Sequence, residues 1–121
     1  MTQLILHLIG DYVTQSDWMA NNKTKRFLPA FVHAIIYSVP FLLITSLPAF
    51  SIISVTHFFI DRYRLARYVV YVKEYLSPSP YYPITATGYS DDKPLWLSVW
   101  LMIACDNTMH LAINYVAILY L

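Results

Sequence analysis

Apolar residues gather into four stretches divided by two polar breaks. The first runs from Thr2 to about Ala20, opening on Leu4-Ile5-Leu6-His7-Leu8-Ile9 before Asp11, Gln15 and Asp17 interrupt it. The second, Phe27 to Leu47, carries no formal charge across 21 residues. That is the length a membrane-spanning helix needs, about 20 residues. Pro40 is expected to kink it. The third starts after Pro48, and its uncharged part, Ala49 to Ile60, is too short to span unless the helix runs past Asp61. Beyond Asp61, Leu65, Val69, Val72 and Leu76 recur on one helical face, which reads as an interfacial helix. The fourth stretch, Leu95 to Leu121, is apolar except for Asp106, Asn107, His110 and Asn114. Between the last two, residues 77–94 hold four prolines and Gly88 and are expected to be irregular. The pattern predicts an all-α fold: a small helical membrane bundle of about four hydrophobic helices (2–20, 27–47, 49–76 and 95–121). The second half of the third would be a short cytoplasmic interfacial helix, and residues 1–121 a single integral membrane domain.

Composition points the same way. Hydrophobic residues make up 58% of the 121 and charged residues 12%. Soluble domains carry about twice that charge, roughly 25%. A net charge of +1 provides no field for nucleic acid, so no nucleic-acid partner is expected. The single Cys105 excludes an intrachain disulfide framework and a multi-cysteine zinc site. The amino terminus lacks a basic n-region and a small-x-small cleavage site, so no removable signal peptide is expected. Lys23, Lys25 and Arg26 form one basic connection; Arg62, Arg64, Arg67, Lys73 and Lys93 form the other. The positive-inside rule places both in the cytoplasm, with the chain in a bacterial inner membrane and the lipid bilayer as its main partner. Arg62, Arg64 and Arg67 are then suited to lipid headgroups, and an anionic lipid becomes a candidate substrate.

The ionisable residues inside the apolar stretches carry the candidate chemistry. Each stretch has one histidine: His7, His33, His57 and His110. Three have an aspartate four residues away: His7 with Asp11, His57 with Asp61, and His110 with Asp106. Four residues is just over one helical turn, so both side chains of a pair project from the same face, as two ligands of one ion do. A carboxylate buried in an apolar setting is costly alone, and a divalent cation shared among several is a remedy. The candidate metal ligands are His7, Asp11, His33, His57, Asp61, Asp106 and His110, around zinc, manganese or magnesium. Asp11, Asp61 and Asp106 are the candidates for catalysis. The competing reading of each pair is a local ion pair, and His33, with no aspartate at four residues, is equally a packing residue. Gln15, Asn107 and Asn114 sit where amides orient ligands, or simply bond between helices.

The run His7-Leu8-Ile9-Gly10-Asp11-Tyr12-Val13-Thr14-Gln15-Ser16-Asp17-Trp18-Met19-Ala20 resembles the start of the phage and bacterial membrane family called domain of unknown function 3307. The likeness continues through His33, Thr56-His57-Phe58-Phe59-Ile60-Asp61 and Thr87-Gly88-Tyr89, and ends on Asp106-Asn107-Thr108-Met109-His110-Leu111-Ala112-Ile113-Asn114-Tyr115. It implies a small integral membrane protein, often phage-encoded, and brings no activity with it. A looser similarity, in His- and Asp-bearing helices only, is to membrane-bound metal-dependent hydrolases of bacteria. The expected function is metal-dependent hydrolysis of a membrane-associated ester or phosphoester. The alternatives are proton or ion translocation, and a non-enzymatic phage-type interaction factor that packs against a second copy or a host membrane protein.

Overall fold

A computed structural model describes residues 1–121, which form six α-helices and no strand. In chain order they are α1 (Thr2–Leu8), α2 (Asp17–Asn22), α3 (Phe27–Ser38), α4 (Leu47–Tyr63), α5 (Leu65–Tyr75) and α6 (Leu95–Tyr120). A π-helical turn, Ile9–Val13, follows α1, and a 3₁₀ turn, Val39–Leu43, follows α3. The chain divides into two compact units, Met1–Tyr63 with His110–Leu121, and Arg64–Met109.

Local chemistry sets the boundaries. Thr14 N–H donates to the Ile9 carbonyl at 2.9 Å and closes the π turn, and the helix stops there. Ser16 restarts it, its hydroxyl accepting from Met19 N–H at the head of α2. Pro29 lies in the first turn of α3 and Pro48 in that of α4, where a missing N–H costs no helical bond. Ser46 Oγ accepts from Ala49 N–H at 3.2 Å, starting α4. Pro40 does more than kink: α3 gives way at Val39 to the 3₁₀ turn, which ends at Leu43. Arg64, in the left-handed region at φ 50°, stops α4.

The helices are therefore shorter than the apolar stretches, and this overturns the membrane bundle. No helix is long and apolar enough to cross a membrane. The first stretch breaks at residues 14–16, the second loses its α-helix at Val39, and α4 is 17 residues ending in Asp61, Arg62 and Tyr63. The 26-residue α6 has length, but Asp106, Asn107, His110 and Asn114 dilute its apolar character. The transmembrane topology, the inner-membrane location and the cytoplasmic assignment of the basic connections fall with it.

In the first unit Leu6, Tyr37, Phe41, Ala49, Ile53 and Ala117 form the apolar core. Polar side chains share the deepest positions with that core. His7, His33, His57, His110 and Asn114 are all essentially inaccessible, while Val13, Leu43 and Leu47 are exposed. Polar groups almost never take the deepest positions unless they are paired. In the second unit, α5 buries Ala66 and Val70. Gly88, at φ +84°, lies against the Arg67 carbonyl and Val70, where any Cβ would collide. Tyr71 Oη donates to the Tyr82 carbonyl at 3.0 Å and Tyr82 Oη to the Gly88 carbonyl at 2.8 Å, so residues 77–94 are irregular but bonded.

Candidate metal centre

Three elements of the first unit deliver the central side chains: the π turn gives Asp11, α3 gives His33, and α4 gives His57 and Asp61. His33 Nε2 lies 3.0 Å from His57 Nε2, 3.3 Å from Asp11 Oδ1 and 3.2 Å from Asp61 Oδ2. His57 Nε2 lies 3.4 Å from Asp11 Oδ1 and 3.3 Å from Asp61 Oδ2. All four residues are buried, and the group is able to hold a metal ion. Four ligands placed tetrahedrally at the usual zinc bond lengths of about 2.0–2.1 Å stand about 3.3 Å apart. The five measured separations bracket that value.

Two histidines stand behind the carboxylates. Asp61 turns its other oxygen, Oδ1, to His110 Nε2 at 3.2 Å, and Asp11 turns Oδ2 to His7 Nε2 at 3.6 Å. Counting protons orders the rings. His110 Nε2 must carry hydrogen to donate to a carboxylate, so a neutral ring leaves Nδ1 bare. His57 Nδ1, 3.1 Å away, must then donate to it. That leaves His57 Nε2 as a bare lone pair aimed at Asp11, Asp61 and His33. Such a ring is arranged to ligate a cation, and its outward N–H is bonded as in metal sites generally. Tyr37 completes the support. Its ring stacks on His57 at 3.6 Å between centroids, and its Oη lies 2.8 Å from His7 Nδ1 while accepting from Asn114 Nδ2 at 2.7 Å.

Lys23, in the turn after α2, sends Nζ to 2.6 Å from Asp61 Oδ2 and 3.4 Å from His33 Nε2. Burial pushes the Asp61 carboxyl up, but His57, Lys23, His110 and His33 together hold it well below its ordinary value. Asp11 is lowered too, burial being outweighed by the neighbouring His33 and the charges of His57 and His110. For His33, burial is outweighed by Asp11 and Asp61, which raise it. For His57 burial wins, pushing it down to about 4. Two buried atoms of the group, Asp11 Oδ1 and His33 Nδ1, lack a hydrogen-bond partner.

Asp106 is half-buried one turn before His110 on α6, in the stretch belonging to the second unit, as is Asn107. Gln15 falls in the break after the π turn, so the helical register that would align it with Asp11 does not extend to it. Arg62 Nη1 donates to the Thr24 carbonyl at 2.7 Å, Arg64 makes the left-handed turn, and Arg67 bonds Tyr68 Oη at 2.8 Å. Tyr37 is not among the sequence candidates, and Lys23 is there only as part of a basic connection. Tyr37 had a usable signal, standing four residues after His33; Lys23 had none.

No curated protein and no solved structure matches the chain. A family model, described as a protein of unknown function (DUF3307), matches residues 1–119. With nearly every residue inside that match, the histidine and aspartate group included, the chain belongs to the DUF3307 family.

Proposed function

We propose that this protein binds one divalent transition-metal ion through Asp11 Oδ1, His33 Nε2, His57 Nε2 and Asp61 Oδ2. The observation that carries the reading is the set of five separations between 3.0 and 3.4 Å among these atoms. Two imidazole nitrogens and two carboxylate oxygens favour zinc or a similar ion, since magnesium takes oxygen ligands and keeps its waters. His110 and His7 orient the two carboxylates, and Tyr37 fixes the plane of His57. Elemental analysis of the purified protein tests this. About one metal ion per chain is expected, lost in Asp61→Ala; no metal at any stoichiometry from folded protein removes the proposal.

The reaction class we attach to the centre is hydrolysis of an ester or phosphoester. A bound divalent ion would supply Lewis acidity for such chemistry once one of the four ligands yields a position to water or substrate. Access supports it: the Lys23 side chain, 19% exposed, borders a group whose other members are nearly sealed, so one edge of the cage lies near solvent. Zinc-loaded protein is expected to cleave chromogenic esters or phosphoesters faster than Asp61→Ala does. Equal rates would withdraw hydrolysis and leave ion binding standing.

A further inference from the structure

Lys23 touches two atoms of the tetrahedral set, Asp61 Oδ2 at 2.6 Å and His33 Nε2 at 3.4 Å. These atoms differ in capacity. A carboxylate oxygen has two lone pairs and can serve an ammonium and a metal at once. An imidazole nitrogen has one, and because His57 Nε2 is bare the His33 Nε2 beside it carries hydrogen in the metal-free cage, so the ammonium is held there by Asp61. We propose that Lys23 is the cation this cage holds when metal is absent, and that metal entry drives the ammonium away from Asp61 and out of the cage. The inference rests on the metal reading above and adds the regulation of that site: a tethered competitor that weakens metal binding and keeps the metal-free cage intact.

Charge supports it. Asp11 and Asp61 bring two negative charges, which a divalent ion alone balances; Lys23 then stands as surplus positive charge a few ångströms from the ion, and the two repel. The ammonium also has somewhere to go. It rides on a flexible four-carbon stem whose side chain is partly exposed, unlike His33, His57 and Asp61, which are almost wholly enclosed. The backbone beside it is held, with Arg62 Nη1 bonded to the Thr24 carbonyl and Lys23 N–H bonded to the Met19 carbonyl. The exchange therefore needs only the side chain to swing.

The experiment is calorimetric titration of chelator-treated full-length protein with zinc chloride, comparing wild type, Lys23→Met and Lys23→Arg at one pH. Lys23→Met is expected to bind zinc at least about tenfold more tightly, as removing a cation beside a divalent ion requires. Lys23→Arg, which keeps the charge, is expected to stay near wild type. Equal or weaker binding by Lys23→Met, with wild type binding normally, would overturn the inference alone, because Lys23 would then be a support for Asp61. No binding by either protein would overturn the metal reading and this inference together. Should Lys23→Met be unfolded without metal, circular dichroism with added zinc decides: recovery of helix is the expected result, and failure to recover is a refutation.

Discussion

Acid should unfold the metal-free protein earlier than its carboxylates alone would allow, and His57 is the reason. Its ring is 1% exposed, stacked on Tyr37, and pushed by burial from 6.5 down to about 4. In the unfolded chain the same ring titrates near its ordinary value. Between those two points the unfolded state binds the proton and the folded state does not. Stability is therefore complete above the unfolded value and is lost as pH falls toward the folded one. The gap between 6.5 and about 4 is worth roughly 3 kcal/mol. Asp11 and Asp61, both lowered from 3.8, add to the loss only toward the acid end, below about pH 5, where the unfolded carboxylates begin to take protons that the folded ones refuse. His33 does not contribute: its value is raised, so its stabilisation is already complete below 6.5. The assay is urea unfolding followed by circular dichroism, with chelator present, from pH 7 to pH 4. The control is His57→Gln, which cannot protonate, and the difference between the two curves isolates the ring. A wild-type loss below about 1 kcal/mol would refute the reasoning, as would a His57→Gln curve with the same slope.

Four further outcomes are expected. On the alkaline side His33 governs: its raised value means stabilisation present below 6.5 is lost as pH climbs through the folded value, and the same unfolding series carried to pH 9 reads it. Zinc affinity should rise over that range, since the ion and the proton compete for His33 Nε2; calorimetry at several pH values checks this. Asp11→Ala, His33→Ala and Asp61→Ala should each weaken zinc binding by more than about a hundredfold, and His7→Ala by about tenfold, because His7 acts through Asp11; equal losses would contradict the assigned geometry. Gly10→Ala should cost about 1–3 kcal/mol in thermal or urea unfolding, because its methyl would collide with Tyr37 Cδ2 and that ring is locked against His57.

The part of the site that the sequence announced is the part built from one-turn repeats. His57 and Asp61 lie on one α-helix, and four-residue spacing brings their ligand atoms to 3.3 Å. His7 and Asp11 straddle the start of a wider π turn, and the same spacing gives a looser 3.6 Å. His33 was marked only by its apolar neighbours, yet its Nε2 contacts more of the group than any local pair could explain. Lys23 meets Asp61 across 38 positions in the chain from a turn with no periodicity, and nothing short of the fold reveals that approach. The membrane expectation failed on lengths. Apolar runs set an upper limit to a helix, but Thr14, Pro40 and Arg64 set where it ends, through a π-turn closure, a 3₁₀ turn and a left-handed residue.

Why a small helical unit should bury four imidazoles and two carboxylates together is answered poorly by stability alone. Apolar residues of similar volume would fill that space without desolvating charge, and replacing buried ion pairs in that way is often neutral or stabilising by about 1–4 kcal/mol. The group also leaves His33 Nδ1 without a hydrogen bond, a cost of about 1–3 kcal/mol in the metal-free protein. A cation at the centre changes the balance. It neutralises both carboxylates and uses the His57 lone pair that the His110 bond leaves bare. It also joins the π turn, α3 and α4, whose ligands are far apart in the chain, so that binding the ion and ordering those elements become one event. Four histidines buried as deeply as Phe41 and Ile53 are what a unit built to hold a cation requires.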